Sequence, residues 1–407
     1  MKIYLVGGAV RDALLNLPVK ERDWVVVGAT PEGLLSQGYT TVGKDFPVFL
    51  HPETKEEYAL ARTERKCGKG YKGFEVNASS DVTLEEDLKR RDLTINAMAQ
   101  TLEGTLVDPY GGQTDLRNKV LRHVSSAFVE DPLRVLRVAR FMARLAPLGF
   151  TVAPETMQLM QTIVSHDEME ALTPERVWKE FEKSLASDSP VAFLRVLRES
   201  GALKRILPEV DRLYGIPQPK MWHPEVDTGI HVELALEMAT QLTANPQIRF
   251  AVLMHDVGKG MTPEALWPQH VGHEDLGVEL IEAALMRLKI PNAYSELAIL
   301  VSKYHTYTHR ADKLNPSTLL NVLERLDAFR RGERFEQFLI ACIADALGRA
   351  GLSEEPYPQA DILRRALIAA KRVDIKMLTS TKRYEGEALK EAIRQVRVAA
   401  IHAFLKR

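Results

Sequence analysis

A chain of 407 residues is too long for a single compact core, so two or more domains are expected. Its 45% hydrophobic and 27% charged residues fit a globular protein and exclude fibrous and disordered classes. With a net charge of −1, any nucleic-acid partner must be held by a local patch, and two cysteines, Cys67 and Cys342, exclude a disulfide framework and fit a reducing compartment.

Residues 3–6 are a β-branched and aromatic run ending at Gly7-Gly8, which predicts a strand, a tight turn and a helix carrying Arg11. Residues 24–27 predict a second strand, with Glu21 and Asp23 at its start. Residues i and i+2 of a strand share a face, with Cα atoms roughly 6–7 Å apart. Two carboxylates so placed beside a glycine turn can hold a divalent metal against phosphates; they equally suit a solvated strand edge. Thr30-Pro31-Glu32 predicts a helix start, and residues 48–50 and 58–61 predict further strands. Glu56 and Glu57 precede the last of these but match no motif.

Residues 62–74 are rich in Lys, Arg and Gly and predict a mobile basic loop, either a solvated linker or a lid over bound phosphates. Residues 84–98 have helical spacing and carry Arg90, Arg91 and Asp92. After Asp108-Pro109-Tyr110-Gly111-Gly112 the strand signals stop almost entirely, and from about residue 126 the pattern is helical. Residues 128–144 predict one helix capped at Asp131-Pro132, with Arg134, Arg137, Arg140 and Arg144 on one broad face. With few compensating acids nearby these arginines repel one another, which suits an anionic partner; a solvated basic face is the alternative.

Residues 150–215 predict amphipathic helices, and the prolines of 214–227 mark a boundary. Seven of the 11 histidines then fall between residues 223 and 309. His231, the adjacent pair His255-Asp256 and Asp345 stand on separate predicted helices. Imidazoles and carboxylates drawn together this way make a mixed N/O site for a transition metal such as Ni, Mn, Fe or Zn rather than Mg, although a single buried His-Asp pair is often structural. From residue 361 onward, 12 Lys and Arg face five acids, a basic helical tail able to meet an RNA backbone or solvent. No apolar stretch spans a bilayer and none forms a leader, so a cytoplasmic protein with no membrane partner is expected.

The array Gly7-Gly8-x-Val10-Arg11-Asp12, Glu21-x-Asp23, Arg90-Arg91-Asp92-x-Thr94-x-Asn96-Ala97, Asp108-Pro109-x-Gly111-Gly112 and Glu130-Asp131-x-x-Arg134 resembles the class II tRNA nucleotidyltransferases, the CCA-adding enzymes. The later His231, His255-Asp256 and Asp345 resemble an HD-type metal-dependent phosphohydrolase. The resemblance implies an α/β nucleotidyltransferase head with a small mixed sheet (1–125), then a long all-α neck and body (126–220), an HD domain (221–350) and a basic tail (351–407). It implies addition of C, C and A to the tRNA 3′ end from CTP and ATP, with 2′,3′-cyclic phosphodiesterase, 2′-nucleotidase and phosphatase activities in the HD domain. Glu21 and Asp23 would hold Mg²⁺, Glu21 standing where relatives more often place Asp. Gly8, Arg11, Arg91 and Asp92 would bind the nucleotide. Glu130, Asp131 and Arg134 would read the base, and Arg137 and Arg140 would lie along the nucleotide. His231, His255, Asp256 and Asp345 would hold Ni²⁺ or another transition metal, in a monomer or weak homodimer. A poly(A) polymerase-like enzyme and an HD phosphohydrolase with a non-catalytic RNA-binding head are the competing readings.

Overall fold

The computed structural model describes residues 1–42, 48–66, 74–166, 168–380 and 386–405. They form two compact units, Met1–Ile206 and Leu207–Arg407.

In the first unit, β1 (Lys2–Val6) leads into α1 (Gly8–Leu14) and returns as β2 (Asp23–Val27), paired antiparallel with Val6 opposite Asp23. Side-chain alternation decides this register. Val6 and Val25 pack on one face with Leu88, Ala97 and Ala99, while Val26 packs on the other with Leu34, Phe49 and Leu60. A one-residue slip would turn each set toward the wrong core. The chain continues through α2 (Pro31–Ser36), whose cap Thr30 accepts the Gly33 N–H, to β3 (Thr40–Val42), β4 (Val48–Leu50) and β5 (Glu57–Leu60). A separate antiparallel hairpin of β6 (Thr63–Lys66) and β7 (Phe74–Asn77) follows. Next come α3 (Leu84–Lys89), β8 (Ala99–Thr101) and β9 (Leu106–Val107). The sheet runs β3-β4-β5-β2-β1-β8-β9, with β2 and β5 parallel and the other pairs antiparallel.

Helix α4 (Gly112–Asn118) and the short parallel pair β10 (Val120–Leu121) and β11 (Thr151–Val152) join this layer to helices. These are α5 (Leu133–Leu145), α6 (Pro154–Ser165), α7 (Pro174–Leu185), α8 (Pro190–Glu199) and α9 (Ala202–Ile206). Helix α5 packs on α7 and α8, which meet through Phe181 and Phe193 edge to face at 5.0 Å.

Three sequence expectations are corrected here. The helix expected over 84–98 ends at Lys89, because Asp92 takes the Leu93 N–H with its side chain and turns the chain into the core, where residues Leu93, Ile95, Ala97 and Met98 are fully buried. The helix expected over 128–144 begins only at Leu133, and Glu130 ends a separate 3₁₀ turn, Ser126–Glu130. The described ends of the expected loop 62–74 pair as the β6–β7 hairpin; residues 67–73 lie outside the described residues.

The second unit is helical: α10 (Pro208–Asp211), α11 (Thr228–Leu242), α12 (Pro246–Met254), α13 (His273–Leu288), α14 (Asn292–His309), α15 (Pro316–Arg325), α16 (Gly332–Leu347), α17 (Gln359–Lys371), α18 (Ile375–Ser380) and α19 (Gly386–Leu405). Helices α11, α12, α14 and α16 pack on one another, and α13 covers α14. The tail's charge is less segregated in space than in sequence: Arg364 pairs with Glu336 and Arg394 with Glu324, acids supplied by other helices. Lys382, Arg383, Lys406 and Arg407 lie outside the described residues. No helix among the described residues is long and apolar enough to cross a membrane.

Candidate functional site

A cavity of about 870 Å³ opens in the first unit, lined by the Gly7-Gly8 turn, by Glu21 and Asp23, by Arg90, Arg91 and Asp92, and by α5. Gly7 adopts φ 67°, a left-handed conformation that glycine takes without strain, and the turn faces Arg91 Nη1. Among the described lining residues, 11 are Lys or Arg and six are Asp or Glu, an excess suited to a polyphosphate.

The floor is a continuous polar network. Arg144 donates to Asp12 Oδ2 (2.8 Å), and Arg11 donates to Asp12 Oδ1 (2.9 Å) and to Asn96 Oδ1 (2.6 Å). The Asn96 amide donates to Asp92 Oδ1 (3.0 Å), and Arg137 donates to Asp92 Oδ2 (2.7 Å). Burial works to raise the Asp92 carboxyl, but Arg137, Asn96 and Arg134 outweigh it and hold it well below the usual carboxylate range. Arg140 donates to Glu180 Oε2 (2.5 Å), and the guanidiniums of Arg11, Arg137 and Arg140 surround the buried Phe141 ring at 5.1, 5.7 and 4.3 Å. The expectation of an uncompensated arginine face is thereby corrected. Its acids are Asp12, Asp92 and Glu180, remote in sequence and delivered by other elements.

Arg134 is buried and donates to the carbonyls of Ala127 (2.8 Å) and Arg90 (2.5 Å), which fix its guanidinium at the cavity wall. Asp131 accepts the Leu133 N–H (3.0 Å) and faces Arg176 at 3.4 Å. Glu130 is half-buried and is not among the lining residues. Asp87, fully buried on α3, holds both Arg90 (2.7 Å) and Arg91 (3.1 Å).

The Asp23 carboxyl is pushed up by burial and by the charge of Glu21, against the pull of Arg91. A carboxylate raised by burial and by a neighbouring like charge is what a bound divalent cation relieves, and carboxylate oxygens suit Mg²⁺. Among the described residues no third His, Cys, Asp or Glu joins them in a close ligand group. Glu57, however, is the ladder partner of Asp23 in the parallel β2–β5 pair, so both side chains rise from the same face. Glu56 is engaged elsewhere, accepting the Trp24 indole N–H at 2.8 Å.

The second unit holds a closed chamber. His231, His255, Asp256 and Asp345 come together there, each with no more than 3% of its surface exposed. His231 Nε2 lies 3.0 Å and His255 Nε2 3.7 Å from Asp345 Oδ1, and His255 Nε2 lies 3.2 Å from Asp256 Oδ2. His255 Nδ1 meets the Val252 carbonyl at 2.6 Å, which places its proton there and turns Nε2 inward. The inward Nε2 has no hydrogen-bond partner. Buried, unsatisfied nitrogen and carboxylate donors at these spacings fit a transition metal.

Supports the sequence did not assign surround this chamber. Glu225 Oε1 is 2.9 Å from His231 Nδ1, and His309 Nε2 is 2.6 Å from Asp345 Oδ2, the orienting partners that metal ligands require. Lys259 donates to Asp256 Oδ2 at 2.7 Å and to Gln218 at 2.9 Å. In the first unit, Lys20, Glu64, Arg176 and Lys183 line the cavity unforeseen. The only sequence signal for the second-unit supports was the histidine density itself.

Residues 3–122 match the family model for the poly A polymerase head domain, 149–214 that for a probable RNA and SrmB-binding site of polymerase A, and 228–349 that for the HD domain. The class is therefore a nucleotidyltransferase head joined to an HD domain. Solved structures share the fold: a CCA-adding enzyme with ATP is 20% identical with a TM-score of 0.67, covering 98% of this chain and 86% of that one. The Thermotoga maritima CCA-adding enzyme complexed with tRNA is 19% identical with a TM-score of 0.66, covering 100% and 91%. The multifunctional CCA protein of Methylococcus capsulatus is 58% identical over 402 residues, 98% of this chain and 94% of the relative. That of Aliivibrio salmonicida is 55% identical over 405 residues, 100% and 99%. The chain belongs to the multifunctional CCA protein family.

Proposed function

We propose that this chain adds C, C and A to the 3′ end of tRNA from CTP and ATP, and that its HD unit hydrolyses phosphate esters with a transition metal, Ni²⁺ among the candidates. The observation that carries the reading is the cavity in which the glycine turn, the Glu21–Asp23 pair, Asp92 and the α5 arginines converge, in a chain 55–58% identical to multifunctional CCA proteins.

Glu21 and Asp23 would hold Mg²⁺, with Glu57 beside Asp23 on the same face of the sheet. Bound there, Mg²⁺ lowers the pKa of the RNA 3′-hydroxyl and neutralises charge on the leaving pyrophosphate. Gly7-Gly8 admits the triphosphate close to the backbone. Arg11 and Arg91 face it, each anchored from behind, Arg11 by Asp12 and Asn96 and Arg91 by Asp87. Asp92 holds Arg137 toward the nucleotide and stands where a ribose hydroxyl can reach it.

Arg134 and Asp131 present a donor and an acceptor to the Watson–Crick edge of the incoming base. Cytosine offers O2 and N3 as acceptors and an exocyclic amine as donor, which this pair complements. Glu130 belongs to the same sequence motif but acts from outside the cavity lining. Replacing Asp131 with Ala removes one half of that pattern. We expect discrimination between CTP and ATP to fall roughly 5–150-fold, at about 1–3 kcal/mol for a well-placed pair. Relative kcat/KM for the two nucleotides on tRNA ending in C and in CC measures it; unchanged ratios would remove the templating role.

The HD unit acts apart. Replacing His255 with Ala is expected to abolish Ni²⁺- or Mn²⁺-dependent hydrolysis of 2′,3′-cyclic phosphate, 2′-nucleotide and simple phosphomonoester substrates, while CCA addition continues. Hydrolysis that survives would make the chamber structural. On this reading residues 1–125 are the catalytic head, 126–220 the neck and body, 221–350 the HD domain and 351–407 the tail of a cytoplasmic monomer or weak homodimer.

A further inference from the structure

We propose that the loop 216–227 holds the substrate of the HD reaction: Trp222 stacks on the base of a terminal nucleotide, and Gln218 Nε2 donates to an oxygen of its phosphate. The inference rests on reading the second unit as a phosphohydrolase and names how it takes a nucleotide rather than a bare phosphate ester.

The loop sorts its side chains into two sets. Gln218 is 2% exposed, and the side chains of His223 and Glu225 are likewise largely buried. Met221 and Trp222, which stand between them, are 83% and 56% exposed. The inward set walls the chamber. The His223 ring meets the His231 ring at 4.6 Å between centroids, and Glu225 Oε1 lies 2.9 Å from His231 Nδ1. Consecutive Cα atoms are about 3.8 Å apart, so Trp222 starts from the rim, one residue from a ring that touches a chamber histidine.

The loop that carries this indole is closed and pinned. Pro217 and Asp227 pair across its ends, and the Gln218 N–H donates to the Val226 carbonyl at 2.7 Å. The Asp227 carboxylate accepts the Gly215 N–H at 2.6 Å and the Ile230 N–H at 2.9 Å. At the tip, the N–H groups of Trp222 and His223 both donate to the Pro219 carbonyl, at 3.0 and 2.9 Å. Val226 is β-branched yet held at φ 60°, a strained conformation that persists only where its surroundings over-determine it. Leaving a large apolar ring in water opposes folding, so a pinned loop that holds one out presents a platform. Two side chains are too few for a protein partner, whose interfaces take roughly 20–30 residues a side. A nucleobase fits, because it is flat and every base has a π-face to stack.

Gln218 supplies the independent observation. Its Oε1 accepts from the Lys259 ammonium at 2.9 Å, and an ammonium can only donate, so the orientation of the amide is decided. Nε2 then faces elsewhere, buried and without a hydrogen-bond partner. The same ammonium donates to Asp256 Oδ2 at 2.7 Å, which sets the amide one cation away from the chamber. A buried donor without an acceptor is costly, and an incoming phosphate oxygen is the acceptor that satisfies it.

Steady-state hydrolysis of 2′,3′-cyclic AMP by the full-length protein tests this. Trp222→Ala should raise KM roughly 5–150-fold, the equivalent of about 1–3 kcal/mol for one stacked base, with kcat kept. Trp222→Phe, which retains a ring, should recover most of the loss. Gln218→Glu keeps an oxygen for Lys259 and removes the donor, so kcat/KM should fall roughly 10-fold or more. An unchanged KM in Trp222→Ala, or a fall in kcat alone that Trp222→Phe does not recover, would overturn the platform and leave the hydrolytic centre standing. An unchanged kcat/KM in Gln218→Glu would remove the phosphate contact. No hydrolysis of the cyclic nucleotide by the wild-type protein would overturn both the platform and the phosphohydrolase reading.

Discussion

Replacing Asp23 with Ala should abolish nucleotide addition and leave metal-dependent phosphoester hydrolysis intact. Asp23 opens β2 opposite Val6, the residue before the glycine turn, so the sheet register itself fixes the carboxylate against the cavity. Its carboxyl is raised by burial and by Glu21, a strain that a bound cation converts into affinity. Losing one of two charged ligands removes a contribution of several kcal/mol to the reacting phosphate, so addition should fall on the order of 10³-fold or more. Asp23→Ala also deletes a like charge, so the folded protein should melt no earlier than the wild type. Incorporation of labelled CTP and ATP, read beside a phosphoesterase assay on the same sample, checks both halves. Persistent addition would mean that the Glu21–Asp23 pair does not hold the catalytic metal.

Replacing Asp92 with Ala should damage both stability and addition. Asp92 is 5% exposed and accepts from Arg137, Asn96 and the Leu93 N–H. Removing it strands all three donors and frees Arg137 and, through Asn96, Arg11. Because Arg137 keeps about a third of its side chain in solvent, leaving these donors without their acceptor costs about 1–3 kcal/mol. For a unit of this size that corresponds to a melting point lower by roughly 2–12 °C. The sign with pH follows from the depressed Asp92 carboxyl. A group held below its unfolded value stabilises the fold fully above that value, about 3.9, and the contribution is lost as pH falls toward the lower folded value. The gap between wild type and variant should therefore be widest near neutrality and narrow in acid below about pH 4. A gap that stays constant with pH would mean that the cost is packing rather than charge.

The first fifty residues announce themselves because their short continuous apolar runs match a sheet covered on both faces, and Gly7, Glu21 and Asp23 sit at its turns. The stretch from Leu93 to Ala99 does not, because a segment buried all round carries no periodicity that separates a helix from an irregular core passage. The α5 arginines were visible, but their partners were not. Asp12, Asp92 and Glu180 reach them only through tertiary packing, as the Arg144–Asp12 pair across 132 residues shows. The same holds in the HD chamber. His231, His255, Asp256 and Asp345 could be singled out, whereas Glu225 and His309 come against His231 and Asp345 only through tertiary packing. Glu57 likewise gains meaning only from its ladder position beside Asp23.

The most direct test of the central claim is the product formed when the purified protein meets tRNA lacking its 3′ end, with CTP, ATP and Mg²⁺ together. The expected product is a single species extended by C, C and A, after which growth stops. An open-ended A tail would assign the chain a polymerase activity instead, and no extension at all would contradict nucleotidyl transfer by this head.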